Sequence, residues 1–73
     1  MKTLELIPIY SEIVDNLGDH AKVYYMDDLK HEIRFYGTNG KLFWTEVYEN
    51  TPIEEVEQLA IDWAKGKREL TWR

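Results

Sequence analysis

Apolar residues recur along both halves of residues 31–48, on either side of the dipeptide Asn39-Gly40. The flanks are rich in aromatic and β-branched side chains, which favour strands over helices. Asn-Gly suits a two-residue type I′ turn, because both of its positions need a positive φ. The segment therefore predicts a β-hairpin with Asn39 and Gly40 at its tip.

The register of this hairpin follows from the turn, and it predicts the opposing pairs Thr38/Lys41, Phe35/Trp44 and Tyr36/Phe43. Because side chains alternate along a strand, one face collects Ile33, Phe35, Leu42 and Trp44. The other face collects Arg34, Tyr36, Phe43, Thr45 and Val47. Both faces contain large apolar side chains, so the second face needs a cover of its own.

Residues 21–26 are also rich in strand formers and predict another strand, which Asp27-Asp28 ends with a turn. A meander places its odd-numbered residues on the Phe35 face and its even-numbered residues, Lys22, Tyr24 and Met26, on the second face. A slip of one residue would exchange the two faces of this strand.

Residues 8–17 fit a helix, because Ile9, Ile13 and Leu17 recur at helical spacing, with Pro8 in the first turn and Gly18 just past the end. The alternative is a strand over residues 3–10, followed by a turn of helix capped by Ser11.

The clearest helix start is Thr51-Pro52-Ile53-Glu54, with Thr51 as N-cap, Pro52 at the first helical position and Glu54 closing a capping box. Apolar residues then recur at helical spacing, which predicts a helix over 52–65 that lies on the Phe35 face and ends at Gly66. Residues 68–73 predict a short edge strand or a disordered tail.

The predicted fold is a single α+β domain over residues 1–73 with the order α-β-β-β-α, a three-stranded antiparallel meander and a possible short C-terminal strand. This order resembles that of the double-stranded RNA-binding domain and of some small phage-encoded inhibitor proteins. In the RNA-binding family the second helix opens with a lysine-rich stretch that contacts phosphates. Here that helix opens with Glu54, Glu55 and Glu57, so no residue role carries over.

The composition excludes several classes of protein. There is no cysteine, so a disulfide framework or a thiolate metal site is excluded. No apolar run reaches the roughly 18 residues that span a bilayer, and the N-terminus lacks the layout of a signal peptide. We therefore expect a cytoplasmic protein that does not enter a membrane.

The charge is unevenly distributed. Residues 1–64 carry 13 acidic and 5 basic side chains, whereas residues 65–73 carry four basic side chains and one acidic one. The acidic excess of residues 1–64 disfavours direct contact with a nucleic acid and favours a partner protein with a basic surface. The alternative is that the acids only keep an aromatic-rich domain in solution.

No group of residues has the spacing of a catalytic or metal site. His20 and His31 are expected to be exposed turn or edge residues, because neither has a partner set suited to proton transfer or zinc. Asp27-Asp28 and residues 37–40 are predicted to be turns, not calcium or phosphate loops. We expect no catalytic residue, no metal and no cofactor.

The second face of the sheet is the best indication of function, because Tyr, Met and Arg are enriched in interface cores. The sequence predicts a non-catalytic protein-binding module, plausible as an inhibitor that occludes a basic, nucleic-acid-handling protein. Its predicted partner-binding residues are Tyr24, Met26, Arg34, Tyr36, Phe43, Val47, Glu54, Glu55 and Glu57. The alternatives are a homodimer that uses the same face, and a monomer whose first helix or N-terminal arm covers it.

Overall fold

The computed structural model describes residues 8–70, which form an antiparallel four-stranded sheet and one helix. The strands β1 (Ile9–Val14), β2 (His20–Asp27), β3 (Lys30–Tyr36) and β4 (Leu42–Glu49) lie side by side in chain order. The helix α1 (Ile53–Ala64) follows them. The mixed α+β class is confirmed, but the described order is β-β-β-β-α, so the likeness to the order of the double-stranded RNA-binding domain is lost.

The first element is a strand, so the predicted helix over residues 8–17 is wrong, and so is the helical turn at Ser11. Ser11 and Ile13 pair with Val23 and Ala21 of β2, which places them on the side of the sheet that faces α1. The Ser11 hydroxyl donates a 2.6 Å hydrogen bond to the Glu57 carboxylate on that helix. Pairing with β2 therefore overrides the helical spacing of the apolar residues.

The predicted hairpin is confirmed, but its turn is of another kind. The Gly40 amide donates to the Gly37 carbonyl (2.9 Å), the Gly37 amide donates to the Lys41 carbonyl (3.0 Å), and Gly40 has a φ of 81°. Among residues 8–70 Asn50 alone has a positive φ without being glycine, so Asn39 does not adopt the type I′ conformation. The loop is a three-residue connection with a left-handed glycine, a common alternative in hairpins.

A β-bulge at Phe43 compensates for the extra loop residue. Tyr36 pairs with Leu42 and not with Phe43, yet Phe35 pairs with Trp44 as predicted. The bulge moves Phe43 to the α1 side, where its ring centroid lies 6.4 Å from that of Phe35, and places Leu42 beside Tyr36. The prediction that Phe43 shares a face with Tyr36 is therefore wrong.

The core lies between the sheet and α1. Its fully buried members are Ala21, Val23, Ile33, Phe35, Val56 and Ala60. The Trp63 ring meets Phe35 edge-on, with centroids 5.0 Å apart. Helix α1 thus packs on the predicted face of the sheet, which confirms that part of the fold.

The ends of α1 differ in part from the prediction. The N-cap is Pro52 and not Thr51, whose hydroxyl donates to the Glu49 carbonyl, so the predicted capping box does not form. At the other end Gly66 has a φ of 78°, and the Lys67 amide donates to the Asp62 carbonyl (2.8 Å). This is the pattern of a Schellman cap, in which a glycine ends the helix, as predicted.

Arg68, which follows α1, forms an ion pair with Glu46 of β4. Residues 68–70 contain no strand, and residues 71–73, like residues 1–7, lie outside the described part, so the proposed edge strand is not assessed there. The Arg68 guanidinium donates to both oxygens of Glu46 (2.7 and 3.0 Å) and to the Leu59 carbonyl (3.2 Å). Glu46 also accepts from the Tyr48 hydroxyl (2.6 Å).

His31 is fully buried, which contradicts the prediction of an exposed edge residue. It lies between Tyr25 and Tyr48 in the sheet, with its ring centroid 5.1 Å from that of Tyr25. Neither of its ring nitrogens has a hydrogen-bond partner among residues 8–70. Burying polar nitrogens without partners costs free energy, so the ring stabilises the core less than an apolar side chain of similar size would.

Candidate functional site

The side of the sheet away from α1 is its outer face, and no element within residues 8–70 packs on it. The strand register arranges its side chains in three rows across the four strands. The rows are Val14-His20-Tyr36-Leu42, Glu12-Lys22-Arg34-Thr45 and Ile9-Tyr24-Glu32-Val47. The outer face is therefore a surface to which every strand contributes three residues.

The two central strands carry a packed network of rings and cations on this face. The Arg34 guanidinium lies 4.6 Å from the centre of the Tyr24 ring and donates to the Glu32 carboxylate. The Tyr24 and Tyr36 hydroxyl oxygens are 3.4 Å apart, and the Lys22 ammonium lies 5.2 Å from the Tyr36 ring. Tyr24 is consequently only 8% exposed, although it lies on an uncovered side of the sheet.

One end of the network is closed by His20. Its ring stacks on Tyr36, with centroids 5.2 Å apart and planes 11° from parallel. Cation–π and stacking contacts of this kind contribute about 0.5–1.5 kcal/mol each. They restrict the side chains at the centre of the outer face to fixed positions.

The four corners of the outer face are aliphatic. Ile9 and Val14 lie on one edge strand, Leu42 and Val47 lie on the other, and each is between 51% and 61% exposed. Single exposed aliphatic residues are ordinary on protein surfaces, but four around one flat face form an apolar rim.

Charges on the outer face balance. Glu12 lies opposite Lys22 in the register of β1 and β2, and Glu32 forms an ion pair with Arg34 on β3. The whole chain carries a net charge of −5, so its acidic excess lies elsewhere. Glu54 and Glu55 are exposed on α1, on the other side of the sheet.

The predicted site residues are thus divided between two surfaces. Tyr24, Arg34, Tyr36 and Val47 lie together on the outer face. Met26 is exposed but lies at the bulge between Tyr25 and Asp27, outside the three rows. Phe43 lies on the α1 side, and Glu57 accepts the hydrogen bond from Ser11. One flat partner could not contact the rings and the helix acids at once.

Sequence reasoning missed the aliphatic corners Ile9, Val14 and Leu42, and it assigned no role to His20. The first two were missed because β1 was predicted as a helix, and Leu42 because the bulge is not visible in the sequence. A strand signal was present, since Ile9, Ile13 and Val14 are β-branched and Asp15-Asn16-Leu17-Gly18 is a typical turn sequence.

Tyrosine ionisation provides a test of this packing. Burial, together with the Tyr36 hydroxyl, raises the pKa of Tyr24 to about 12, and burial with the Glu46 carboxylate raises the pKa of Tyr48 to about 12. The Asp28 carboxylate raises the pKa of Tyr25.

Because unfolded tyrosine ionises near pH 10, the stability that Tyr24 and Tyr48 contribute is fully present below pH 10 and is lost as pH rises toward 12. An absorbance titration at alkaline pH should show two late phenols. The variants Tyr24→Phe and Tyr48→Phe should each remove one of them. Ionisation of Tyr24 and Tyr48 near pH 10 would contradict the packing described here.

Comparison of the chain with protein-family models, with curated proteins and with solved structures gave no match. Within residues 8–70 no three His, Asp or Glu side chains are grouped so that they could hold a metal ion. No helix in the same range has the length and apolarity needed to cross a membrane. A functional proposal therefore has to rest on the surface of the domain itself.

Proposed function

We propose that this protein is a small non-catalytic binding module that docks on another protein molecule through its outer face. The observation that carries the proposal is the apolar rim: four aliphatic corners, each more than half exposed, around a sheet face that no described element covers. Exposed aliphatic side chains grouped on one uncovered face of a small domain are a common feature of protein interfaces.

The centre of the outer face supports the same function. Tyr24, Tyr36 and Arg34 are residue types enriched where interfaces bind most tightly. Here they already contact one another, because Arg34 lies over Tyr24 and the two phenol oxygens are within 3.4 Å. Binding would therefore cost little free energy for ordering these side chains, and such preorganisation favours affinity.

The acids of α1 have a separate role in this proposal. Glu54 and Glu55 lie too far round the molecule to share a flat contact with the outer face, since α1 packs on the opposite side of the sheet. They contribute to the net charge of −5, which acts on the rate of encounter with charged partners over about a Debye length. The contact itself is assigned to the uncharged rim and the rings.

The proposal is tested by affinity capture with three immobilised proteins in extracts of the native host. They are the wild type, an outer-face variant (Val14→Asp with Val47→Asp) and a control variant (Leu17→Asp with Leu29→Asp). All four substituted residues are exposed aliphatics, and the control residues lie in turns, so the two variants match in charge and in lost apolar surface.

Captured proteins are quantified by mass spectrometry, and host copies of this chain are counted separately. We expect at least one protein to be captured in equal amounts by the wild type and the control variant. The outer-face variant should capture about tenfold less of it, because a loss of about 1.4 kcal/mol of binding free energy weakens binding by a factor of 10. Capture of the same host proteins in the same amounts by all three immobilised proteins would overturn the proposal. Circular dichroism confirms that each variant is folded.

A further inference from the structure

The exposed loop at the tip of the hairpin contains the one Asn-Gly step of the chain, Asn39-Gly40. We infer that Asn39 is a site of spontaneous deamidation in the folded protein, at which the side-chain amide is lost and aspartate and isoaspartate form. Asparagine is among the residues that limit the lifetime of proteins at high temperature. The modification needs no partner, so it stands or falls independently of the proposed function.

The reaction has two steps. The main-chain nitrogen of Gly40 attacks the side-chain carbon Cγ of Asn39, so that an N–Cγ bond forms and Nδ2 leaves as ammonia with the proton that the Gly40 nitrogen gives up. The attack is intramolecular, because the two reacting groups belong to adjacent residues. Water then opens the resulting succinimide ring. Attack of water at Cγ gives aspartate, whereas attack at the main-chain carbonyl of residue 39 gives isoaspartate.

The nitrogen of Gly40 is an unhindered nucleophile. Glycine has no β-carbon to shield its nitrogen, and no heavy atom lies within 4 Å of the place that a β-carbon on Gly40 would occupy. Asn39 and Gly40 are both exposed, so water and hydroxide reach them directly. The Gly40 amide donates to the Gly37 carbonyl (2.9 Å). The attack therefore has to break one hydrogen bond of the loop and none between paired strands.

The side chain of Asn39 is held across the peptide that contains this nitrogen. The Lys41 main-chain amide donates to Asn39 Oδ1 (3.0 Å), which is an Asx turn and folds the side chain back over the Asn39–Gly40 peptide. The same amide points at the oxygen on which negative charge develops when Cγ is attacked. A main-chain amide in that position stabilises such an oxyanion.

The chain contains two matched controls, Asn16 and Asn50, which are exposed as Asn39 is. They precede Leu17 and Thr51, whose β-carbons shield the nitrogen that would have to attack. Both of these nitrogens are also hydrogen-bonded: the Leu17 amide donates to Asp15 Oδ1 (2.9 Å), and the Thr51 amide donates to the Leu29 carbonyl (3.0 Å). Exposure alone therefore does not distinguish Asn39, but the residue that follows it does.

The two products affect the loop differently. Aspartate at residue 39 still accepts from the Lys41 amide and changes only the charge, from −5 to one unit more negative. Isoaspartate inserts a side-chain carbon into the main chain of a loop that two hydrogen bonds close, Gly40 to Gly37 and Gly37 to Lys41. The longer main chain cannot keep the geometry of both bonds, so we expect isoaspartate to destabilise the hairpin.

The inference is tested by incubating the purified full chain, folded, at neutral and at mildly alkaline pH. Peptide mapping by liquid chromatography and mass spectrometry follows all three asparagines, because aspartate and isoaspartate peptides have equal masses and elute separately. We expect Asn39 to be lost to both products, faster at the alkaline pH, while Asn16 and Asn50 stay intact. The same chain unfolded in urea is incubated in parallel until its Asn39 has been lost.

A folded chain that keeps Asn39 intact over that time overturns the inference, as does loss of Asn16 or Asn50 at the same rate as Asn39. The effect on the loop is measured by urea unfolding of the purified isoaspartate form and of the variant Asn39→Asp. The isoaspartate form should unfold at a lower urea concentration than the wild type, and the variant should unfold close to it. Equal midpoints for all three would overturn the assigned effect of isoaspartate on the hairpin.

Discussion

Replacing Phe35 with alanine is expected to lower the free energy of unfolding by about 3–5 kcal/mol, a large share of the total stability. Phe35 is fully buried at the centre of the core, with the Trp63 ring 5.0 Å away on one side and the Phe43 ring 6.4 Å away on another. Truncating a buried phenylalanine costs about 3–5 kcal/mol, because transfer free energy is lost and a cavity remains. A domain of this length has only about 4–11 kcal/mol of stability in total.

The measurement is urea unfolding followed by far-ultraviolet circular dichroism. Phe43→Ala serves as the matched control, because the same ring is removed at a position that is 40% exposed. Its cost should be about 1–2 kcal/mol, since much of that ring already contacts water. Equal costs at the two positions would contradict the placement of Phe43 at the margin of the core.

Replacing Glu46 with glutamine is expected to cost about 1.5–3 kcal/mol, the range for hydrogen bonds to charged groups. Glu46 accepts from both Arg68 and Tyr48, and the side chains of the ion pair are only 18% and 22% exposed. A neutral amide keeps the shape but leaves the Arg68 charge without a counter-ion. The segment after α1 should then detach from β4.

A double-mutant cycle with Arg68→Met isolates this pair. Removing both charges should cost less than the sum of the single changes, with a coupling of about 1.5–3 kcal/mol measured by urea unfolding. The coupling should also change little between low and high salt, because partly buried pairs are weakly screened. Additive costs, or a coupling abolished by salt, would mean that the pair is open to solvent.

The local signals of the sequence predicted the central part of the fold. The turn dipeptide between two aromatic strands predicted the hairpin, and the pattern of Val56, Ala60 and Trp63 predicted the helix and the face it covers. The Phe35/Trp44 register was also predicted correctly, although it was derived from a two-residue type I′ turn that does not form. The loop is one residue longer than the predicted two-residue turn, and the bulge at Phe43 adds one residue to β4. The two shifts in register cancel from Trp44 onward.

The first element was mispredicted for a physical reason. Ile9, Ile13 and Leu17 recur at helical spacing, but residues 9–14 satisfy their backbone groups by pairing with β2, a long-range partner that periodicity cannot detect. The bulge at Phe43 was equally hidden, because it depends on the conformation of the loop at Gly40. These two errors explain why Ile9, Val14 and Leu42 were absent from the predicted site.

The candidate site itself was predicted in part. Tyr24, Arg34, Tyr36 and Val47 share the outer face as expected, since alternation along a strand is a reliable guide to side-chain direction. The role of Glu54, Glu55 and Glu57 in partner binding stays a prediction. Glu54 and Glu55 lie on α1, which packs on the Phe35 side of the sheet as predicted, so they lie away from the outer face.

The placement of the acids behind the sheet has one more consequence. A molecule bound to the outer face would leave Glu54 and Glu55 in contact with water, so occupancy of one side does not block the other. Two different partners would then bind without competing with each other.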